Sequence, residues 1–426
     1  MKGFKRLSSV VVVVVLLVSA AAALGYPLDG YEETGIRRVE GARLANEGKA
    51  VGGFQPPGAM LTTEQVDLRL MGDKLVLPPA DPGFTAQVAA LLGDKADRYG
   101  VTVLDITDRE NVRYAEHRGN YRQNVGSVGK LLAALGMFQA LADTWPDDLE
   151  RRKEILRDTV MTADDFSHSD HHTIRIFNVE TRELIRRPLT DGDQGSVWEY
   201  LDWMLSVSSN SAAAMIMRDA MLLRHFGQAY PVSEDQIKTF FDTTPAGELT
   251  RLFQQTFWEP VTRNGLSLDQ IRQGSFFTRQ GKANVYGGGN SYASARSLME
   301  FLLKMEEGSL VDEWSSRQLK RLLYMTERRI RYASSPELKE AAVYFKSGSW
   351  YKCKEEEGFT CAPYSGNVHN YMNSVAIVEQ EIDGVQLQYM VIVVSNVLRQ
   401  NSAVEHQTLG TEIHRLIKKE HDLAGP

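Results

Sequence analysis

The stretch from Asn124 to Leu135 places a serine and a lysine where they could act together in nucleophilic catalysis. Gly126 gives the backbone freedom to turn, and the serine that follows, Ser127, is a residue type that favours the start of a helix. After Lys130, apolar residues recur at helical spacing. Residues three apart share one side of a helical turn. A lysine held away from water can lose its proton and activate a serine hydroxyl, because desolvation disfavours the charged amine. The structural alternative is a capping serine followed by a solvated lysine.

Two further clusters could complete such a site. Ser208-Ser209-Asn210 separates two predicted helices and can point a hydroxyl and an amide into a cleft. Lys346-Ser347-Gly348 ends a predicted strand, where Gly348 permits a ligand to approach the backbone closely. Each cluster alone is a weak signal. A helix start, an interhelical loop and a strand end in that order are much harder to meet by chance.

At these residues the chain resembles the penicillin-recognising serine enzymes, the serine β-lactamases and penicillin-binding proteins, and most of all the class A β-lactamases. Their three elements are Ser-x-x-Lys, Ser-Asp-Asn and Lys-Thr-Gly. The chain carries them as Ser127-Val-Gly-Lys130, Ser208-Ser-Asn210 and Lys346-Ser-Gly348. Ser209 stands where the family has aspartate, which is expected to weaken the support of that loop. The resemblance covers the chain from Asp81 onward.

The resemblance implies a covalent mechanism. Ser127 would attack the carbonyl carbon of a lactam or peptide and become acylated. Lys130 would take its proton, directly or through water. Ser208 would pass a proton to the departing nitrogen, helped by the positive field of Lys346.

The resemblance also implies the residues that bind substrate. Asn210 would hydrogen-bond the side-chain amide of the substrate, while Lys346 and Ser347 would bind its carboxylate. The backbone N–H groups of Ser127 and Ser349 would form the oxyanion hole, where one donor contributes roughly 3–4 kcal/mol. Gly348 lies between these groups in sequence. The resemblance implies neither a metal nor a cofactor.

Class A β-lactamases also use a glutamate, within Glu-Pro-x-x-Asn, to activate water against the acyl-enzyme. The chain has Glu259-Pro260 followed by Asn264, one residue longer, between the second and third motifs. Glu259 is therefore interpreted as the deacylation base. The alternative is a surface glutamate before a turn.

The elements that must hold these residues predict an α+β fold. A hairpin at 99–116 precedes Ser127, and strands return at 342–347, 374–382 and 385–394, the last two joined by an Asp-Gly turn. Strands at both ends with helices between them predict one antiparallel sheet flanked by helices, as in the β-lactamase/transpeptidase-like fold, with an inserted all-helical subdomain at about 127–289.

Residues 1–23 have the layout of a secretory signal peptide, with basic residues, an apolar run and Ala21-Ala22-Ala23. An uncleaved anchor is the alternative. We interpret 24–80 as an extended N-terminal arm, with Arg37 and Arg38 as exposed charge, and 81–426 as the catalytic domain. Export to the periplasm or outside permits disulfides, and the only two cysteines, Cys353 and Cys361, are expected to form one.

The sequence thus predicts an exported serine hydrolase, a class A-like β-lactamase acting on β-lactam antibiotics. The alternatives are a D-alanyl-D-alanine carboxypeptidase or related peptidoglycan peptidase, and a non-hydrolytic penicillin-binding sensor. The net charge of −7 gives no support for a nucleic-acid partner, and no membrane span is expected after signal cleavage. The histidine-rich segment 168–172 is interpreted as a solvated loop rather than a metal site.

Overall fold

The computed structural model describes residues 28–51, 55–327 and 329–423, so the predicted signal peptide lies outside the described residues. The α-helices are α1 (Tyr31–Thr34), α2 (Arg37–Asn46), α3 (Pro82–Ala90), α4 (Lys130–Thr144), α5 (Leu149–Asp158), α6 (Val197–Leu205), α7 (Asn210–Phe226), α8 (Glu234–Thr243), α9 (Ala246–Phe257), α10 (Glu259–Arg263), α11 (Arg279–Asn284), α12 (Ala295–Glu306), α13 (Glu313–Tyr324) and α14 (Ala403–Glu420). None of the helices within these ranges combines the length and apolar character that a bilayer-spanning segment requires.

The strands confirm the predicted α+β class. They are β1 (Tyr99–Asp105), β2 (Arg113–His117), β3 (Arg122–Gln123), β4 (Val160–Thr162), β5 (Thr173–Phe177), β6 (Leu184–Pro188), β7 (Gln194–Ser196), β8 (Ile271–Arg272), β9 (Tyr292–Ser294), β10 (Ala342–Lys352), β11 (His369–Ile382) and β12 (Val385–Asn396). Five of them form an antiparallel sheet in the order β10-β11-β12-β1-β2. Both ends of the chain therefore complete one sheet, as expected.

The two faces of this sheet pack on different layers. On β12, Val391 and Val393 face the cluster that includes residues of α3 and α14, whereas Ile392 and Val394 join the core shared with α4, α7 and α12. This alternation is the period-two pattern of a strand buried on both faces. We call the sheet with its flanking helices the sheet lobe, and residues 130–289 the helical lobe.

The helical lobe is not all-helical, which corrects the sequence prediction. It contains the paired strands β4–β7 and β5–β6, together with β8. These strands are at most five residues long, and every residue of β6 is exposed or half-buried. Strands of two to five residues offer too few positions for an alternating pattern to be recognised from sequence.

The N-terminal extension is not an extended arm, because it forms α1 and α2. Arg38 of α2 is buried rather than exposed, and it pairs with Asp202 of α6 at 2.5 Å and with Glu327 at 3.1 Å. The helix therefore presents a paired cation to the interior where an apolar residue would have produced a helical pattern. Because a buried arginine does not contribute to an apolar pattern, the sequence analysis missed α2.

A buried histidine links α14 to the sheet. The ring nitrogens of His406 lie 3.0 Å from Ser374 Oγ and 2.9 Å from Ser395 Oγ. Burial, assisted by the charge of Arg331, lowers the pKa of His406 to about 3. The folded protein therefore holds this imidazole neutral over the whole range in which a histidine of the unfolded chain takes up a proton.

We expect His406 to make the protein less stable as the pH falls from 7 to 5. The unfolded state binds a proton near pH 6.5 and the folded state does not, so the free energy of unfolding should drop by about 2 kcal/mol from this residue. Urea unfolding of the wild type and His406→Gln at both pH values measures this, the variant showing the smaller drop. The exposed His171→Gln serves as the control and should behave like the wild type. An equal drop in His406→Gln would contradict the assignment.

Candidate active site

The nucleophile turn is a 3₁₀ turn, Gly126–Gly129, that runs directly into α4. Gly126 has φ +53°, a left-handed conformation that favours glycine, and its N–H donates to the side chain of Asn124 at 2.8 Å. Lys130 is fully buried, and its Nζ lies 2.8 Å from Ser127 Oγ. The structure thus brings the two side chains together and excludes the solvated-lysine alternative.

The second motif reaches the same lysine from the junction of α6 and α7. Lys130 Nζ lies 2.9 Å from the carbonyl oxygen of Ser208, 3.4 Å from its Oγ and 2.7 Å from Asn210 Oδ1. Ser208 has φ +64°, which is uncommon for a residue other than glycine and is typical of strained functional positions. Three separate oxygen-bearing groups of this motif are therefore directed at one amine.

The third motif closes the cluster from the sheet lobe. Lys346 of β10 is buried, and its Nζ donates to Ser208 Oγ at 2.9 Å and to the Ser347 carbonyl at 2.9 Å. The Ser208 hydroxyl consequently lies between the amines of Lys130 and Lys346. Such a chain can carry a proton between a nucleophile and a leaving group.

The backbone of the nucleophile turn packs directly against β10. A Cβ at Gly348 would lie 2.0 Å from the Val125 oxygen and 2.9 Å from the Ser127 nitrogen, and one at Gly126 would lie 2.8 Å from the Ser349 nitrogen. Glycine is thus required on both sides of the contact. The approach places the amides of Ser127 and Ser349 close together, as an oxyanion hole requires.

The structure does not bring Glu259 to this cluster. Its side chain, in the first turn of α10, is 47% exposed and lies 4.0 Å from Arg263. Arg263 pairs at 2.7 Å with Asp143 in the last turn of α4, a helix of 15 residues and about 22 Å that begins at Lys130. The interpretation of Glu259 as the deacylation base therefore finds no support in the geometry, which matches the surface alternative.

Two residues beside the nucleophile turn had no motif to reveal them. The Phe277 ring centroid lies 4.8 Å from Lys130 Nζ, and a Cβ at Gly129 would lie 2.2 Å from Gln273 Oε1. Both belong to the loop that precedes α11. The sequence signal was the run of glycines at 287–289, whose backbone packs closely against this loop.

The segment 168–172 is only partly the solvated loop that we expected. His171 is exposed, but the side chain of Asp170 is 1% exposed and lies against the start of α7. Asp170, His171 and His172 could offer ligand atoms within 4.8 Å of one another. The Asp170 carboxylate is already engaged by backbone and side-chain donors, so we assign no metal to it.

Beyond Ser349, the chain forms the disulfide Cys353–Cys361, with the Cα atoms 6.0 Å apart. The bond closes the charged loop that follows the end of β10. Lys346, Ser347, Gly348 and Ser349 all lie in β10, so every substrate-binding residue implied by the resemblance except Asn210, which begins α7, is on one strand.

A family model described as the beta-lactamase enzyme family matches residues 83–376. The chain belongs to this family. The match confirms the resemblance to the serine β-lactamases and penicillin-binding proteins, and it leaves the N-terminal extension outside the shared region. No curated protein matches this chain.

Solved structures align with about four-fifths of this chain. A mutant of PBP-A, solved as an acyl-enzyme complex with penicillin G, is 15% identical with a TM-score of 0.50 and covers 80% of this chain and 100% of its own. The TLA-3 extended-spectrum beta-lactamase is 13% identical, with 79% and 99% coverage and a TM-score of 0.49. A beta-lactamase from Sphaerobacter thermophilus is 12% identical, with 79% and 96% coverage and a TM-score of 0.47. At such identity the likeness to PBP-A shows the fold alone.

Replacing Gly348 by alanine should disable the site. The added methyl group would lie 2.0 Å from a backbone oxygen, so the turn and β10 must separate. Because this removes the alignment of the two amides, we expect acylation of Ser127 by a fluorescent penicillin to slow by about 100-fold or more. Gly247→Ala, in α9 with nothing within 4 Å of the new methyl group, is the control and should react like the wild type. Equal rates for all three proteins would contradict the close-contact argument.

Proposed function

We propose that this chain is an exported serine hydrolase that opens β-lactam rings through an acyl-Ser127 intermediate. The observation that carries the proposal is the buried chain of contacts from Ser127 Oγ to Lys130 Nζ, to Ser208 Oγ and on to Lys346 Nζ. Export is supported by the sequence of residues 1–23.

Acylation uses Lys130 in its neutral form. Lys130 Nζ accepts the Ser127 hydroxyl proton while Oγ bonds to the lactam carbonyl carbon, and the resulting oxyanion is held by the N–H groups of Ser127 and Ser349. When the C–N bond breaks, the ring nitrogen takes the proton of the Ser208 hydroxyl. Ser208 is then reprotonated from Lys130, so the proton lost by the nucleophile ends on the leaving nitrogen.

Substrate orientation is assigned to β10 and α7. The ammonium of Lys346 and the hydroxyl of Ser347 suit a carboxylate of the substrate, since a charged donor strengthens a hydrogen bond to an anion. Asn210 holds its amide beside Lys130 and can also bond the acyl side chain of the substrate. The carboxylate and the scissile carbonyl are thereby held on the same strand.

Deacylation needs a base for water, and the position of Glu259 directs this role to Lys130. After acylation Lys130 again has an unprotonated amine next to the ester, so it can accept a proton from the attacking water. The Phe277 ring lies against this amine, and Glu259 is exposed outside the cluster. We therefore expect the acyl-enzyme to be hydrolysed more slowly than in enzymes that use a carboxylate for this step.

The position of Glu259 also favours a second candidate, a D-alanyl-D-alanine carboxypeptidase or related peptidoglycan peptidase. Such an enzyme would use the same acylation steps on a linear peptide that ends in a carboxylate. It would retain a β-lactam as a lasting adduct.

Time-resolved intact-mass spectrometry with a fluorescent penicillin, together with nitrocefin turnover, tests these proposals. We expect the wild type to gain one acyl group and lose it with turnover, and Ser127→Ala to do neither, because it lacks the nucleophile. Glu259→Ala should match the wild type, since its carboxylate lies outside the cluster.

Each other outcome has a definite meaning. A stable adduct without turnover would reject β-lactam hydrolysis and favour the peptidase. Hydrolysis of a D-alanyl-D-alanine peptide would then be measured. Absence of any adduct on the wild type would reject acyl-serine chemistry. Loss of turnover in Glu259→Ala alone would restore the class A route.

A further inference from the structure

We propose that Asp170 is a positioning residue that supplies, from a distant loop, the carboxylate missing from the Ser208-Ser209-Asn210 motif. The inference rests on the proposed function, because its effect is measured on acylation of Ser127. The related enzymes carry aspartate in the middle of this motif, where the present chain has Ser209. Asp170 precedes that position by almost forty residues, so no local pattern connects the two.

One oxygen of Asp170 holds three consecutive residues of the motif and its helix. Asp170 Oδ2 accepts hydrogen bonds from Ser209 Oγ at 2.9 Å and from the backbone N–H groups of Asn210 at 2.7 Å and Ser211 at 3.1 Å. These backbone donors belong to the first turn of α7, where N–H groups have no partner within the helix and an anion is favoured. The carboxylate therefore fixes where α7 begins.

The other oxygen ties the carboxylate to its own loop. Asp170 Oδ1 accepts from the backbone N–H groups of His171 at 2.9 Å and His172 at 3.2 Å, and it lies 2.5 Å from His172 Nδ1. Burial alone would raise the pKa of Asp170, but the hydrogen bonds and charge of its donors, above all His172, hold that pKa well below its usual range. The carboxylate is therefore ionised at neutral pH.

The anchored residues directly follow Ser208, the residue with the left-handed backbone. A strained conformation persists only where neighbouring contacts over-determine it. Ser209 contributes twice, since its Oγ donates to Asp170 and accepts from the N–H of Ala212 at 3.1 Å. Through this anchor Asp170 keeps the Ser208 hydroxyl between Lys130 and Lys346 without contacting substrate itself.

The test is the rate constant for acylation by a saturating fluorescent penicillin in Asp170→Asn. An amide can keep one oxygen as acceptor, but its NH₂ group must then face donors on the other side. We expect the acylation rate constant to fall by about 10- to 100-fold, the size of effect that a misplacement of about 1 Å produces. Penicillin affinity before acylation should change less, because Lys346 and Ser347 are untouched.

Asp191→Asn is the matched control. Asp191 also pairs with a histidine of this segment, because its carboxylate lies 2.7 Å from His168 Nε2. In contrast to Asp170, its side chain is 62% exposed, and its partner His168 is not part of α7. Asp191→Asn should acylate like the wild type. In Asp170→Asn, the second change Ser209→Asp returns a carboxylate to the motif and should raise the acylation rate constant severalfold above that of Asp170→Asn alone.

This rescue separates positioning from general stability, because a merely destabilised protein would not regain rate from Ser209→Asp. Wild-type rates in Asp170→Asn would overturn the inference, and so would failure of the rescue in a variant with a native circular dichroism spectrum. If Asp170→Asn does not fold, Ser209→Ala removes the hydrogen bond to Asp170 together with the bond from the N–H of Ala212, and it should slow acylation severalfold. An unchanged rate would reject the inference. A wild type that forms no adduct would instead reject the proposed function.

Discussion

The site depends on the burial of one amine, that of Lys130. An amine removed from water must be surrounded by hydrogen-bonding oxygens, since burying a polar group without hydrogen bonds is strongly unfavourable. Ser127, Ser208 and Asn210 provide those oxygens from two segments that are more than eighty residues apart. The same contacts that stabilise Lys130 in the interior place Ser127 and Ser208, the proposed nucleophile and proton carrier, around it. The same hydrogen bonds therefore stabilise the buried lysine and arrange the groups of the proposed site.

The N-terminal extension secures the two lobes that converge on this lysine. Arg38 pairs with Asp202 in the helical lobe, while Arg69 pairs with Glu379 of β11 at 2.8 Å. Glu379 also pairs with the buried Lys320 at 2.6 Å. Removing one partner of a buried ion pair lowers protein stability far more than replacing both partners by apolar residues. A segment outside the family match thus ties both halves of the cleft together through paired charges.

Sequence could predict the parts of the site that lie within single elements. The three motifs, the sheet built from both ends and the turn at Asp383-Gly384 all follow from local spacing and turn chemistry, and the structure has them. It could not predict the roles that depend on contacts between distant segments. Glu259 fitted a motif but lies near the far end of α4, and Asp170 fitted none yet anchors α7. A paired charge facing inward likewise hid α2, because pattern analysis reads buried positions from apolar residues.

The pairing of β1 with β12 has a consequence for how the protein folds. Tyr99 lies opposite Ser395, so β1 has only its hairpin partner β2 until nearly the whole chain is present, and an isolated hairpin is marginally stable. Pairings of such long range form slowly. The strand that faces Ser127 joins the sheet only through β11 and β12. A partly synthesised chain therefore carries Ser127 without the opposing amide of Ser349, so the proposed oxyanion hole exists only in the completely folded molecule.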